Sequence, residues 1–544
     1  CLHRAESVRE IGGFREDLVC ALDRDMHLRL AVAGKTIAVV PDILVTVRRQ
    51  PGSLSGDILR VLDQYERILV PCFAALQRQG MLTDERAAAF AAFMARAAKQ
   101  YARFGETGKA KVYFELARKF HPSAGLNVVY ASPIKRMLAS AAGITAAERL
   151  FETRQLVSRR MGQAKRASFF LLRDRIALAR RPAWHLDSRI DAVLNWILRA
   201  WEAAGRQGIS EGYHVVPGRW GPAYPETTGY LICSLLNASR CGFGHRQLPD
   251  VARQLGEWLV QVQMRCGAFP AGYVTRRPVE PAVFNTGQVL HGLLDLVHAG
   301  LDTSGSFANA AARASEWLLS QLSEEGIWLF DTPLASEKMH AYNVRTAWAM
   351  ARWGEMTGDR RFVDAGVRHA MWVASRQDDA GWIPNMNFDR GVDPLLHTVA
   401  YTLRGLLELG ELSGQRILIE ACGRAARGVA ALQDRRTGAL PGQISCGFRA
   451  ASRWTNTTAN SQMALVWWRL AEVTGDDSWK PYAEKALAAN LRFQWLGHGD
   501  PGCRGALQGS HPGHVGYGRY WYMNWTQKFF LDALITLHGA SPSA

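Results

Sequence analysis

The sequence predicts a mainly α-helical protein, a six-hairpin α/α toroid over residues 188–544. A truncated α/β remnant and a helical linker precede it. Three observations predict the toroid. First, helices that open on polar residues and then turn strongly apolar start near Glu226, Asn285, Asn343, His397, Asn460 and Asn524. Their intervals are 59, 58, 54, 63 and 64 residues, the spacing of a repeat architecture. Second, ordinary amphipathic helices alternate with them, at 188–204, 247–264, 308–322, 361–376, 415–433 and 478–494. Third, the connections repeat a glycine followed by apolar or aromatic residues: "GAFPAG" (267–272), "GIWLF" (326–330), "GWIPN" (381–385), "GALPG" (438–442) and "GALQG" (505–509).

Residues 1–55 form the first element. They carry "GGF" (12–14), "LDRDMHLRLAVAGK" (22–35), "VPDILVTVRR" (40–49) and "PGSLS" (51–55). These pieces resemble the C-terminal end of a family-2, GT-A type glycosyltransferase domain. The resemblance makes Asp23 the counterpart of the acceptor-deprotonating base. Leu22 stands where that family usually has Glu, and Gln50 where it often has His. A nucleotide-sugar and a divalent metal would be cofactors only with the transferase half that normally precedes these motifs. The chain starts at Cys1 in mid-pattern, and we expect more chain ahead of it.

Residues 56–125 read as a helical appendage. "TDERAAAFAAFMARAAKQYARF" has a Thr N-cap and apolar spacing near 3.6 residues. Residues 126–187 are a basic linker. The formal net charge of the chain is +16, and residues 1–187 hold 31 Lys and Arg against 18 Asp and Glu. Residues 188–544 hold 34 against 31, so charge says little about what the toroid binds. The stretch 153–185 mixes Arg and Lys with Phe and Leu, as a helix lying on an anionic membrane surface would. Nucleic acid is not expected, because no binding motif accompanies the charge. The nine cysteines are scattered, with no C-x-x-C. That argues against a disulfide framework and a cysteine-rich zinc site, and for a cytoplasmic setting, at the inner face of a membrane if the basic segment docks there.

In the toroid itself, helices apolar nearly all round are buried and form the inner ring. The rings run antiparallel, so all six inner helices begin at one end. Their polar entrances then line a common mouth, where unpaired N–H groups are also on offer. "TGD" at 357–359 and 474–476 places Gly at two helix C-caps. No metal or cofactor is expected for the toroid.

The pattern resembles several groups of α/α barrels. Terpenoid cyclases and protein prenyltransferases share the Gly-aromatic connections, but neither an inner-helix Asp-rich motif nor an Asp/Cys/His zinc set stands out. Carbohydrate-active toroids remain: lyases, glycosidases and epimerases. "YPETTGY", "VFNTGQ" and "HTVAYTLRG" resemble toroid proteins found alongside bacterial polysaccharide-assembly enzymes.

A lyase or epimerase acting on a uronate needs a base and a cation or amide set beside the carboxylate. His340, His397, Tyr401, Arg345 and Asn343 supply these types on adjacent inner helices. A hydrolase needs two carboxylates. Glu226 is the one at an inner-helix start, and Asp331, Asp389 and Asp393 are loop candidates for the second. Sugar faces would stack on Trp220, Tyr224, Trp382, Tyr520 and Trp521. Hydroxyls would bond Asn285, Gln288, Asn460, Gln462, Asn524, His511 and Lys528. The Gly-rich, aromatic stretch 509–528 is expected to cover the mouth. The expected function is modification or cleavage of a uronate-containing glycan in bacterial surface-polysaccharide biosynthesis. The alternatives are a glycan-binding scaffold serving the transferase, and transferase activity as the sole function.

Overall fold

The computed structural model describes residues 4–36, 58–122, 185–244, 247–275 and 279–539, with a few isolated positions between 130 and 168. The chain divides into two units, residues 1–161 and 162–544. "VPDILVTVRR", "PGSLS" and nearly all of the basic stretch 153–185 lie outside the described residues.

The first unit contains α1 (Ala5–Glu10), α2 (Leu22–Val32), α3 (Ile58–Leu62), α4 (Tyr65–Arg78), α5 (Asp84–Arg103) and α6 (Thr107–Phe120). Thr83 caps α5 as its sequence predicts, its hydroxyl accepting the Arg86 N–H at 3.3 Å. Phe90, Met94, Tyr101, Tyr113 and Phe120 are buried between α4, α5 and α6. Phe73 stacks on Phe120 at 4.4 Å. Asp23 is exposed on the first turn of α2, whereas Asp25 is buried and paired with Arg29 at 2.7 Å.

In the second unit, twelve helices among the described residues alternate between two rings. The outer ones are α7 (Leu186–Ala203), α9 (Leu248–Val262), α11 (Ser306–Ser320), α13 (Arg360–Ser375), α15 (Arg416–Ala430) and α17 (Lys480–Leu491). The inner ones are α8 (Pro225–Arg240), α10 (Val283–His298), α12 (Val344–Thr357), α14 (Leu396–Ser413), α16 (Thr457–Thr474) and α18 (Asn524–His538). Each inner helix packs on the next, and α18 returns to α8, so the ring closes. The α/α toroid predicted from the repeat is the observed fold. Apolar burial explains the two rings. α10 is buried along nearly its whole length, while α9 and α15 bury one face only.

The backbone accounts for the repeated signatures. The first glycine of each Gly-aromatic connection has positive φ, from 75° at Gly438 to 97° at Gly267. A Cβ on Gly267 would come within 2.4 Å of the Arg313 carbonyl on the next outer helix, and one on Gly438 within 2.1 Å of the Lys485 carbonyl. Just beyond four outer helices, Gln263, Gln377, Gln433 and Gln494 each donate two amide bonds, bracing the connection to a neighbouring outer helix. In both "TGD" segments the glycine caps one helix in the left-handed conformation. The following Asp accepts a backbone N–H at the next element.

Inner-to-outer connections are short, two to seven residues. Outer-to-inner connections are long, and they gather at the end where the inner helices begin. β1 (Gly212–His214), in the first of them, pairs antiparallel with β2 (Arg219–Trp220) and with β7 (Trp521–Met523) from the last. That small sheet ties the two ends of the ring together. Two other strand pairs, β3 (Ile444–Ser445) with β4 (Arg449–Ala450) and β5 (Thr455–Asn456) with β6 (Ser510–His511), brace the same rim.

Candidate functional site

The first turns of the inner helices surround a pocket of about 310 Å3. Its lining includes Tyr224, Glu226 and Tyr230 from α8 and its approach, Phe284 and Asn285 from α10, and Tyr342 just before α12. His397 and Tyr401 come from α14, Trp525 from α18, and Asp331, Asp389 and Tyr517 from long connections. The entrances of α8, α10, α12, α14 and α18 contribute to the pocket, that of α16 does not, and stretch 509–528 supplies Tyr517 and Trp525. Tyr517 stacks on His397 with ring centroids 5.6 Å apart.

Glu226 is in the first turn of α8. It keeps a narrow opening to solvent through the mouth while protein surrounds its carboxyl. Burial pushes its pKa up to about 8, and the nearby Asp331 carboxylate adds to the shift. The Tyr224 hydroxyl, which bonds Glu226, and the Arg345 cation pull the other way. The helix dipole also favours the anion, but desolvation wins. At neutral pH, Glu226 is a carboxylic acid with a proton to give.

Asp331 is fully buried on the loop before α12, and burial raises its pKa as well. More groups oppose that rise than oppose it at Glu226. The Phe284 N–H, in the first turn of α10, donates to Oδ1 at 2.9 Å, and the Tyr342 hydroxyl donates to Oδ2 at 3.2 Å. His340 brings Nε2 to 3.5 Å from Oδ2. The Phe284 and Tyr342 donors favour the charged form of Asp331 against its burial, while His340 holds its ring proton on Nδ1, toward the Asn387 carbonyl. The pocket therefore holds two carboxyl groups whose surroundings differ in what they offer the charged form.

His397 bonds Gln462 Oε1 through Nδ1 at 2.9 Å. An amide oxygen only accepts, so Nδ1 carries the proton and Nε2 keeps its lone pair. Burial pushes the pKa of His397 down to about 4, so the ring is neutral at pH 7. Below the mouth, Phe284, Tyr342, Tyr401 and Phe529 pack into an aromatic floor, with ring centroids 5.1 to 5.7 Å apart.

The other sequence-predicted residues divide by location. Tyr224, Glu226, Asn285, His397 and Tyr401 line the pocket. His340 lies just behind it, its Nδ1 3.0 Å from the Asn387 carbonyl oxygen, and Asn343 is fully buried. Arg345, Gln462 and Lys528 line a second cavity beneath the floor. Gln288 is fully buried and accepts the Arg345 Nε–H at 2.7 Å.

Six residues are structural rather than pocket-lining. Trp220 packs on Trp196 and Tyr213. Trp382 packs on Phe448, and His511 stacks on Phe493. Asn460 accepts the Leu440 N–H, and Asn524 donates to Ser210 and Thr227. Tyr520 is a loop brace, its carbonyl accepting the Val215 N–H. Thr228, Thr286 and Gln527 similarly pin the connections, accepting the backbone N–H of Ile209, Phe269 and Leu507. Some polar residues of the entrances therefore hold loops and others face the mouth, and those of α16 do not reach the mouth.

Sequence reasoning missed Tyr230, Phe284, Tyr342 and Trp525 as pocket walls. One signal was present: Tyr230 follows Glu226 by four residues, the same-face spacing that links His397 to Tyr401. No group of three or more His, Cys, Asp or Glu suited to holding a metal occurs among the described residues.

No family model and no curated protein matches this chain. Solved structures do match in fold. An unsaturated glucuronyl hydrolase specific for heparin superimposes with a TM-score of 0.53 at 14% identity, over 66% of this chain and 97% of that one. The unsaturated glucuronyl hydrolase from Bacillus sp. GL1, responsible for the degradation of glycosaminoglycan, gives 0.50 at 14% identity, over 66% and 97%. A D-mannose isomerase gives 0.50 at 11% identity, over 64% and 97%. At these identities the likeness is one of fold.

Proposed function

We propose that the toroid is a carbohydrate-active enzyme that cleaves a glycosidic bond, with Glu226 as proton donor and Asp331 as the second carboxylate. The observation that carries this is the buried carboxyl pair in an aromatic pocket, one member held protonated at neutral pH. A purely glycan-binding cleft would need only aromatics and amides. In the proposed reaction, Glu226 protonates the leaving glycosidic oxygen as the bond to the anomeric carbon breaks. Asp331 either takes a proton from an attacking water or attacks the anomeric carbon itself, and water completes the substitution. Tyr224, Tyr230 and Trp525 supply planes and hydroxyls for a sugar ring. The pocket is closed below by its aromatic floor and is of small-ligand size. That shape favours a sugar at the end of a chain over a strand threading through.

A uronate as that sugar is supported by the two unsaturated glucuronyl hydrolases among the fold neighbours. The transferase-like motifs near the N-terminus support a role in assembling a bacterial surface polysaccharide at the cytoplasmic face of the membrane. Among the described residues, no helix is long and apolar enough to cross a membrane.

The test is to incubate the protein with oligosaccharides ending in neutral sugars, uronates or unsaturated uronates, and to measure released reducing sugar. Glu226→Gln and Asp331→Asn should each lower turnover by about 10²–10⁴-fold. Full activity in both variants would remove the proposal. A second reading rests on neutral His397, which suits proton abstraction beside a uronate carboxylate. Unsaturated product absorbing in the ultraviolet, or C5 deuterium exchange lost in His397→Ala, would favour it.

A further inference from the structure

Beneath the aromatic floor lies the second cavity, about 190 Å3 in volume. Arg345, Arg404 and Lys528 line it together with Trp348, Gln462 and Asp532. Tyr401 lines both cavities and forms part of the wall between them. The lower cavity extends along α8, α14 and α18 to Asn237, Arg404 and Thr536, all half-exposed. It therefore opens toward the C-terminal ends of the inner helices, away from the mouth.

Its charges do not balance. Lys528 pairs with Asp532 at 2.5 Å and Arg404 with Glu408 at 2.6 Å, but Glu408 also serves Arg469 at 3.5 Å. Arg345 is 5% exposed, and its Nε donates to the neutral Gln288 amide. Among the described residues, no carboxylate lies within ion-pairing distance of it. The faces of Tyr401 and Phe529, 5.3 and 5.8 Å from its guanidinium carbon, offset part of the cost. A buried cation without a counter-charge stays expensive, and two other cations share the same small space. Burial lowers the Lys528 pKa, and the charge of Arg345 lowers it further against the pull of Asp532. The missing partner is an anion with room for more than a bare ion. Trp348 offers it a ring face, and Asn237 and Gln462 offer amides.

We infer that this lower cavity binds a small ligand carrying an oxyanion (carboxylate, sulfate or phosphate) between Arg345, Arg404 and Lys528, on a body no larger than a sugar. The inference stands whatever bond is broken at the mouth.

The test is calorimetric titration of the whole protein with inorganic phosphate, sulfate and glucuronate, with glucose as the neutral control. At least one anion should bind saturably while glucose does not. Binding of phosphate or sulfate alone identifies a simple oxyanion; binding of glucuronate alone identifies a sugar acid. Arg404→Gln and Lys528→Met should each weaken binding roughly tenfold or more, the loss expected for one charged hydrogen bond. Glu226→Gln should leave it intact. If Lys528→Met fails to fold by circular dichroism, the half-exposed Arg404 decides alone. No saturable anion binding, or wild-type affinity in folded Arg404→Gln, overturns the inference. So does binding lost in Glu226→Gln and kept in Arg404→Gln, which would move the anion to the mouth.

Discussion

Glu226 and Tyr224 are two residues apart in sequence, and the tyrosine opposes what burial does to the carboxyl. The tyrosine hydroxyl bonds the carboxyl and favours its charged form, while burial favours the neutral one. Catalysis by the protonated acid should decline as pH rises through about 8. Tyr224→Phe removes a donor to the anion, so the alkaline limb of the pH–rate profile should move upward. Stability follows the same linkage. The folded pKa is raised above the ordinary value of 4.5, so the contribution of Glu226 is fully present below about 4.5 and is lost as pH rises through about 8. Glu226→Gln should therefore gain in melting temperature relative to wild type between pH 7 and 9, and an unchanged difference across that range would contradict the buried-acid assignment. Glu226, His397 and Tyr401 were legible in the sequence because they break an otherwise apolar run at a helix entrance. Asp331 could be named only as one of three loop acids, since nothing local says that its carboxylate meets the Phe284 N–H 47 residues earlier in the chain.

At the scale of the helix pair, the inner ring is drawn together by glycine. A Cβ on Gly292 of α10 would come within 2.1 Å of the Gly229 carbonyl on α8, and one on Gly229 within 2.4 Å of Val289. Gly292→Ala should cost about 1–3 kcal/mol or more, because backbone cannot yield as a side-chain tip can. Gly423→Ala on outer helix α15 meets only the end of Arg427, at 3.9 Å. There the better helix former should be neutral or add about 0.5–1 kcal/mol. Paired thermal melts would separate the two cases. Asp359→Ala should cost about 1 kcal/mol through loss of its cap to the Arg361 N–H. Helix positions were legible to within a few residues because burial dictates where apolar residues recur. The use of each polar entrance was not. Asn285 lines the mouth while its Nδ2 also donates to the Pro270 carbonyl at 2.9 Å, and Asn460 holds a loop without lining the mouth, yet both are an Asn near an inner-helix start. The loop partners, Pro270 and Leu440, lie 15 and 20 residues earlier on long connections, beyond what the local sequence encodes.

Across the molecule, closure of the ring makes the toroid a cooperative object rather than a stack of independent hairpins. All 18 tryptophans lie at or beyond residue 184, so tryptophan fluorescence watches this unit alone. Urea unfolding followed by fluorescence should give one sigmoid. Removing residues 524–544 should abolish it rather than shift it slightly, because α18 joins α16 to α8 and its loss strips both of a buried face. The repeat made the ring legible. Closure through β1 and β7 was not, because those strands are three residues long and some 300 residues apart. α7 starts, and α18 finishes, on the rim opposite the mouth. Gripped by either extremity, to a resin, a bilayer or a neighbouring module, the barrel resembles a cup held by its base, with its drinking side left clear for a long polymer to approach.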